Sequence, residues 1–253
     1  RLVGSEMCIR DSCRRKGSSQ PRGHPVTGGA PVCAGATRGT APARLRVSGA
    51  GVRHADGRWA PDMVDLSFDF GTINVITGPV GCGKTSLAHL IAGLIPSHIP
   101  IDHAGSVHIV DADGTECPVD GDRVTFVGQD PATQVLTLRV VDDVSMALEF
   151  SLVEADIVAK RSAAALSELG LSELAEKDPW ALSGGQRQRM AIAGAVARAP
   201  EVMIFDEPAA HVDEDGRRSL FAAIRDLRAP GRVILLIEHD LRPFDGWVDT
   251  VTI

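Results

Sequence analysis

Apolar and polar positions along this chain follow two periods, and the two alternate. Leu45 and Val47, then Val64, Leu66 and Phe68, recur at every second residue, as in strands with one buried face. His54-Ala55-Asp56-Gly57 between them reads as a turn. Val75-Ile76 is a short apolar run that gives way to glycines, and Leu87, Leu90, Ile91 and Leu94 share one helix face behind it. Val107–Val110 and Val124–Val127 read as two further strands, the first closed by the turn Asp111–Gly114. From about Asp130 to Leu182 the pattern is helical. Ser151–Glu154 has the spacing of a capping box; Val158, Ala165 and Leu169 then share a face, and Gly170 can close that helix. Gln186–Ala199 is a helix stopped at Pro200, and Leu220, Ile224 and Leu227 mark another. Val202–Phe205 is a strand, and Val233–Ile237 is apolar throughout, as a strand covered on both faces is.

Strands alternating with helices predict an α/β fold with a mostly parallel central sheet. The alternating segments after Arg44 predict an antiparallel edge sheet, and the stretch from about 130 to 182 a helical subdomain. The 253 residues suit one large domain, with or without a subdomain, and show no internal repeat. The formal net charge of -7 is uneven: residues 1–43 carry seven basic side chains against Glu6 and Asp11, which leaves an acidic body. That body disfavours broad nucleic-acid binding through phosphate neutralisation. Five cysteines, without C-x-x-C pairs, point to reduced thiols rather than a disulfide or zinc framework. No run approaches the roughly 18–20 apolar residues of a membrane span, so a membrane role would be peripheral. Residues 1–43 have no hydrophobic period and open on RLVGSEMCIRDS, which resembles adapter-derived sequence; they read as a disordered or artefactual tail. A metal site on Cys8, Cys13 and Cys33 is the weaker reading of that tail. The chain stops at Ile253 inside an apparent strand, so a truncated C-terminus is expected.

Chemistry enters where the apolar run at Val75-Ile76 meets Gly78-Pro79-Val80-Gly81-Cys82-Gly83-Lys84-Thr85-Ser86. Strand, glycine-rich loop and helix, in that order, are the context in which G-x-x-x-x-G-K-[ST] is a phosphate site rather than a turn with a surface lysine. Its glycines let successive N–H groups converge on an anion, and the helix N-terminus adds its dipole. Lys84 can reach the β- and γ-phosphates of a nucleotide, and the Thr85 hydroxyl can ligate Mg²⁺. Val202–Phe205 runs into Asp206-Glu207-Pro208, two carboxylates at a strand's C-terminal end, where a parallel sheet presents ligand-binding groups. Asp206 can hold Mg²⁺, and Glu207 can polarise a water. In Leu182-Ser183-Gly184-Gly185-Gln186, Ser183 can cap a helix that starts after the glycines, forming a second anion cradle. A chain with one nucleotide loop has no second phosphate to place there, whereas a facing copy would supply one.

Gly78–Thr85, Leu182–Gln186 and Val202–Glu207, in this order, resemble the ATPase subunits of ABC transporters, over roughly residues 44–253. The resemblance implies a P-loop nucleoside triphosphatase that binds ATP and Mg²⁺ and hydrolyses ATP as a dimer with a second ATPase subunit. Residue by residue it implies Gln129 as a glutamine contacting Mg²⁺ and the attacking water, His239 as the switch histidine at the γ-phosphate, and Asp213 as the D-loop aspartate. With Glu207 and Lys84 these make up the expected catalytic set; Thr85, Gln129 and Asp206 make up the expected metal set. The chain departs from the family at Ala210-His211-Val212, where Ser-Ala-Leu is usual, and in having no tyrosine for the adenine to stack on. His54 holds the matching position, with Trp59 as a rival. His98, His103 and His108, at five-residue spacing, read as solvated loop positions rather than ligands. Cys82 reads as filling a variable loop position, with redox sensitivity beside Lys84 as the alternative.

Leu94–Val107 and Gln129–Val144, with a second glutamine at Gln134 and an acidic helix start, resemble the energy-coupling factor ATPases of vitamin and transition-metal uptake. That resemblance implies a transmembrane coupling subunit and a substrate-binding membrane subunit as partners, at the cytoplasmic face of the cell membrane and without nucleic acid. A conventional importer or exporter ATPase, or a translation factor carrying two such domains, would share these motifs. A chromosome-maintenance ATPase would need a long coiled coil where only 54 positions separate Gln129 from Ser183.

Overall fold

The computed structural model describes residues 42–244 and 246–253. The first 41 residues, with Cys8, Cys13 and Cys33, lie outside the described residues, so the readings made of them are not addressed by it. β1 (Pro42–Val52) begins two residues inside the expected tail. It pairs antiparallel with β2 (Val64–Asp69) on one side and β4 (His103–Asp111) on the other, and β5 (Glu116–Pro118) adds to β4. The order of this edge sheet is β2-β1-β4-β5.

A second sheet is parallel throughout, in the order β6-β7-β8-β3-β9. Its strands are β3 (Ile73–Ile76), β6 (Val124–Val127), β7 (Val202–Asp206), β8 (Val233–Ile237) and β9 (Thr250–Thr252). The two-residue period sorts the side chains of its central strands onto two faces. Met203, Phe205, Ile234, Leu236, Ile73 and Val75 enter a core shared with α3 (Val140–Phe150), α4 (Ala155–Glu168), α5 (Gly184–Ala197) and α6 (Glu214–Asp226). Ile204, Val233, Leu235, Ile237 and Ile76 enter another, shared with the edge sheet, α1 (Lys84–Ile91) and the short α2 (Leu94–Ser97). Both faces are covered, so the run Val233–Ile237 has no place for a polar residue.

Two local expectations give way to packing. Ser151 does not open a capping box: it is the C-terminal cap of α3, and its hydroxyl donates back to the Ala147 carbonyl. Glu154 is the N-cap of α4 and makes no side-chain cap bond. A serine beside a just-finished helix finds a free carbonyl closer than the next helix's N–H groups. His103 and His108, expected in a loop, stand on β4, while His98 ends α2. α5 packs against both α3 and α4. Among the described residues no helix is long and apolar enough to cross a membrane.

The parallel register sets up everything that follows. Ile76 lies opposite Ile237, Asp206 opposite the same Ile237, and Val127 opposite Phe205. The residues after these strands (Thr77-Gly78, Gly128-Gln129, Glu207 and Glu238-His239) therefore emerge side by side along one edge of the sheet.

Candidate functional site

The loop after β3 bends through left-handed backbone at Gly78 (φ 145°), Gly81 (φ 82°) and Gly83 (φ 96°). Gly83 allows nothing else, because a Cβ there would meet the Ala60 carbonyl carbon and the Pro61 nitrogen at 2.2 Å. The Ala60-Pro61 backbone thus closes over the loop from outside. Lys84 is buried at the head of α1, and its Nζ donates to the carbonyls of Gly78 (2.8 Å) and Pro79 (3.1 Å), with Cys82 Sγ at 3.8 Å. The ammonium is held across the mouth of the loop, while Val80 and Cys82 stay exposed.

Asp206 ends β7 and Glu207 follows it, but the two meet different surroundings. Asp206 is buried, and its Oδ1 has no hydrogen-bond partner. Burial pushes its carboxyl above the ordinary range and the nearby Glu207 charge adds to this; a hydrogen bond from the Thr85 hydroxyl and the charge of Lys84 pull the other way. A buried carboxylate oxygen left unmatched is costly, and a hard cation beside a hydroxyl oxygen is the partner that would satisfy it. Thr85 and Asp206 therefore fit Mg²⁺. His89 of α1 packs edge-on against Phe126 at 4.9 Å, and burial holds its imidazole below the usual range against the pull of Asp206.

Glu207 turns out of the strand at φ 46°, a left-handed conformation rare for a residue with a side chain. Its N–H is held by the Ile237 carbonyl at 3.0 Å. The turn aims the carboxylate between two groups from neighbouring strand ends: Oε2 accepts from Gln129 Nε2 at 2.9 Å, and Oε1 pairs with His239 Nε2 at 2.9 Å. Gln129, Glu207 and His239, far apart in sequence, thus form one hydrogen-bonded row beside Asp206. Behind it Arg217 of α6 pairs with Asp240, and Arg242 holds the Asp240 carboxyl well below its usual range.

Leu182–Gln186 forms a second centre. Ser183 Oγ accepts from Gln186 N–H (3.3 Å), and Gln186 Oε1 accepts from Ser183 N–H (2.9 Å), a reciprocal capping box. The helix starts at Gly184 itself, so the two glycines lie in its first turn rather than before it. Leu182 turns into the core, which leaves only its backbone to a ligand. Ser183, Gly184, Gly185 and Gln186 line a concavity with Arg189, His211 and Asp213. Asp213 also caps α6, accepting from Gly216 N–H at 2.8 Å. No hydrogen bond among the described residues joins Ser183–Gln186 to Gly78–Ser86. His211 Nδ1 reaches toward the first centre, 3.3 Å from the Gln129 carbonyl oxygen.

His54 reaches the phosphate loop. Its Nε2 lies 3.0 Å from the Ala60 carbonyl oxygen and 3.3 Å from Ser86 Oγ, beside the first turn of α1. Trp59 turns the other way, against Gly51, and bridges to Arg53. His211 belongs to the stretch Ala210-His211-Val212 that departs from the family, whereas Glu238, one position before His239, is a neighbour of the site that motif reading does not single out; its being titratable there is the only sequence signal.

The family described as "ABC transporter" matches residues 62–210. The energy-coupling factor transporter ATP-binding protein EcfA1 of Thermotoga maritima is 34% identical over 186 residues, covering 72% of this chain and 68% of that protein. Its counterpart in Symbiobacterium thermophilum is 38% identical over 201 residues, covering 75% and 67%. Several longer relatives are described only as putative ABC transporter ATP-binding proteins, and the chain spans 24% to 38% of their length. Among solved structures, CbiO1 of Clostridium perfringens, described as part of the ABC transporter complex CbiONQ, has a TM-score of 0.70 at 26% identity, over 83% of this chain and 84% of its own.

Proposed function

Because the chain belongs to the ABC transporter family of ATP-binding proteins, we propose that it is the ATP-hydrolysing subunit of an energy-coupling factor type importer, acting as a dimer at the cytoplasmic face of a membrane. The observation that carries the hydrolytic part is the row Gln129–Glu207–His239 beside the buried Asp206 and the phosphate loop. The likeness to EcfA1 proteins and to CbiO1 supports the transporter class, and with it membrane subunits as partners. Longer relatives with the general description keep a conventional importer or exporter as the second reading, which co-purification of the membrane subunits would decide.

In this reading the N–H groups of Gly78–Ser86 and Lys84 Nζ hold the phosphates, Lys84 exchanging its loop carbonyls for phosphate oxygens. His54 borders the base. Thr85 and Asp206, with Gln129 nearby, would hold Mg²⁺, which neutralises charge on the phosphate oxygens when bound. Glu207 accepts a proton from the attacking water; Gln129 and His239 keep its carboxylate aimed, and His239 can turn from it to the γ-phosphate. Ser183–Gln186 and Asp213 serve the nucleotide of the facing subunit, so each site is completed across the dimer, and closing it is the movement passed to the membrane subunits. Glu207→Gln keeps the hydrogen-bonding shape but removes the base. It should cut ATP turnover by at least about 100-fold while ATP binding stays intact and a closed dimer accumulates. Turnover near the wild-type rate would remove Glu207 from this role.

A further inference from the structure

Among the described residues, the hydrogen bonds of Gln129 both go to one short segment of chain. Its Nε2 donates to Glu207 Oε2 at 2.9 Å, and its main-chain carbonyl oxygen lies 3.3 Å from His211 Nδ1. A carbonyl oxygen only accepts, so in this contact the ring proton sits on Nδ1. The imidazole is particular to this chain, since Ala210-His211-Val212 stands where Ser-Ala-Leu is usual in the family. We propose that His211 is a positioning residue for ATP hydrolysis, holding the backbone of Gln129 so that its amide stays on the Glu207 carboxylate.

The segment that carries His211 is itself well fixed. The Glu207 carbonyl accepts from Ala210 N–H at 3.1 Å and the Ala209 carbonyl from Val212 N–H at 3.2 Å, so residues 207–212 form two successive turns. Asp213 then caps α6 through Gly216 N–H. The segment also packs on the first turn of α5, where a Cβ added to Gly184 would meet the His211 carbonyl oxygen at 3.0 Å. Gln129 has no such support from its own neighbours. It stands past the end of β6, between Gly128 and the single turn Pro131–Gln134, and no backbone–backbone hydrogen bond among the described residues involves it. Glu207 thus fixes the tip of the glutamine side chain, and His211 the backbone from which it springs. Without the second contact, the rotatable bonds of the side chain and the glycine before it can carry the amide off the carboxylate. Gln129 and His211 are both exposed in the single chain, so their bond adds little to folding stability. Its effect falls instead on the geometry of the Gln129–Glu207–His239 row. Asparagine can place an amide donor close to where the ring carries Nδ1, whereas alanine has no donor to place.

The inference rests on the ATPase reading: a wild-type chain without ATP turnover overturns both, and the variant outcomes below overturn this inference alone. Steady-state kcat and KM for ATP, and the melting temperature without nucleotide, are compared for wild type, His211→Ala and His211→Asn. His211→Ala should lower kcat about five-fold with KM changed less than about two-fold, the signature of a contact that matters for the chemical step. It should melt within about 2 °C of wild type, as exposed substitutions do. His211→Asn should recover at least about half of the lost rate. A His211→Ala chain at wild-type kcat overturns the proposal. So does a rise in KM that accounts for the loss, or a His211→Asn chain as slow as His211→Ala. A larger fall in the melting temperature of His211→Ala marks a purely structural group and overturns it as well.

Discussion

Two adjacent residues of one strand end show how backbone placement divides chemical labour. Asp206 stays in the pleat and is buried with an unmatched oxygen, whereas Glu207 leaves it at φ 46° and joins Gln129 and His239. The same placement puts Glu238 beside Glu207, with a consequence for stability. An acid whose folded pKa is raised costs nothing below its unfolded value of 4.5, where both states are protonated. As pH rises from there to about 7 the unfolded chain ionises first, so stability falls across that window. Denaturant titration of the nucleotide-free chain should therefore show wild type losing more stability than Glu238→Gln between pH 5 and pH 8. Equal losses would mean that Glu238 ionises normally in the folded chain.

At the scale of elements, the helix α5 does two jobs with one turn. Its capping box satisfies N–H groups left free at every helix start, and it leaves Gly184 and Gly185 facing a concavity without side chains in the way. Ser183→Ala removes the cap and should destabilise the chain by about 1 kcal/mol, or roughly 2–4 °C in melting temperature. A calorimetric scan without nucleotide, in which no facing site contributes, checks this. The contrast with Ser151 is instructive. Both serines stand three residues before a Glu or Gln ahead of an apolar run, and both read alike in sequence. Only Ser183 caps a following helix, because Ser151 lies within reach of the free Ala147 carbonyl of the helix just ended. Local spacing identifies which bonds are available; which bond forms depends on where the preceding helix stops.

For the whole molecule, the important fact is that the two centres stay apart. Gly78–Ser86 with its carboxylates is one cluster, and Ser183–Gln186 with Asp213 lines another, with His211 of the second set against the Gln129 carbonyl of the first. Under the proposed function a single chain holds two halves of different sites, so turnover should depend on pairing. ATPase activity per chain should rise with protein concentration and level off as dimer forms, measured beside sedimentation in ATP. Activity per chain independent of concentration, with only monomer sedimenting, would contradict the shared site. His211 stands where a small residue is usual, at the junction of the two clusters, and is exposed.

Much of this was already present in the one-dimensional chain. Two-residue apolar periods and the unbroken run Val233–Ile237 determined the strands and their burial, since each face of a covered sheet excludes polar side chains. Glycine, lysine and threonine at fixed spacing determined the bent loop between β3 and α1, because few sequences turn a backbone so sharply between a strand and a helix. Those properties are local, and so is their chemistry. Sequence could not decide that Glu207 would meet Gln129 and His239, that Leu182 would turn inward, or that one carboxylate oxygen of the half-buried Glu238 would be left without a partner. Each of these depends on which strand lies beside which and at what register. That pairing is a long-range free-energy minimum, and no short window of residues contains it.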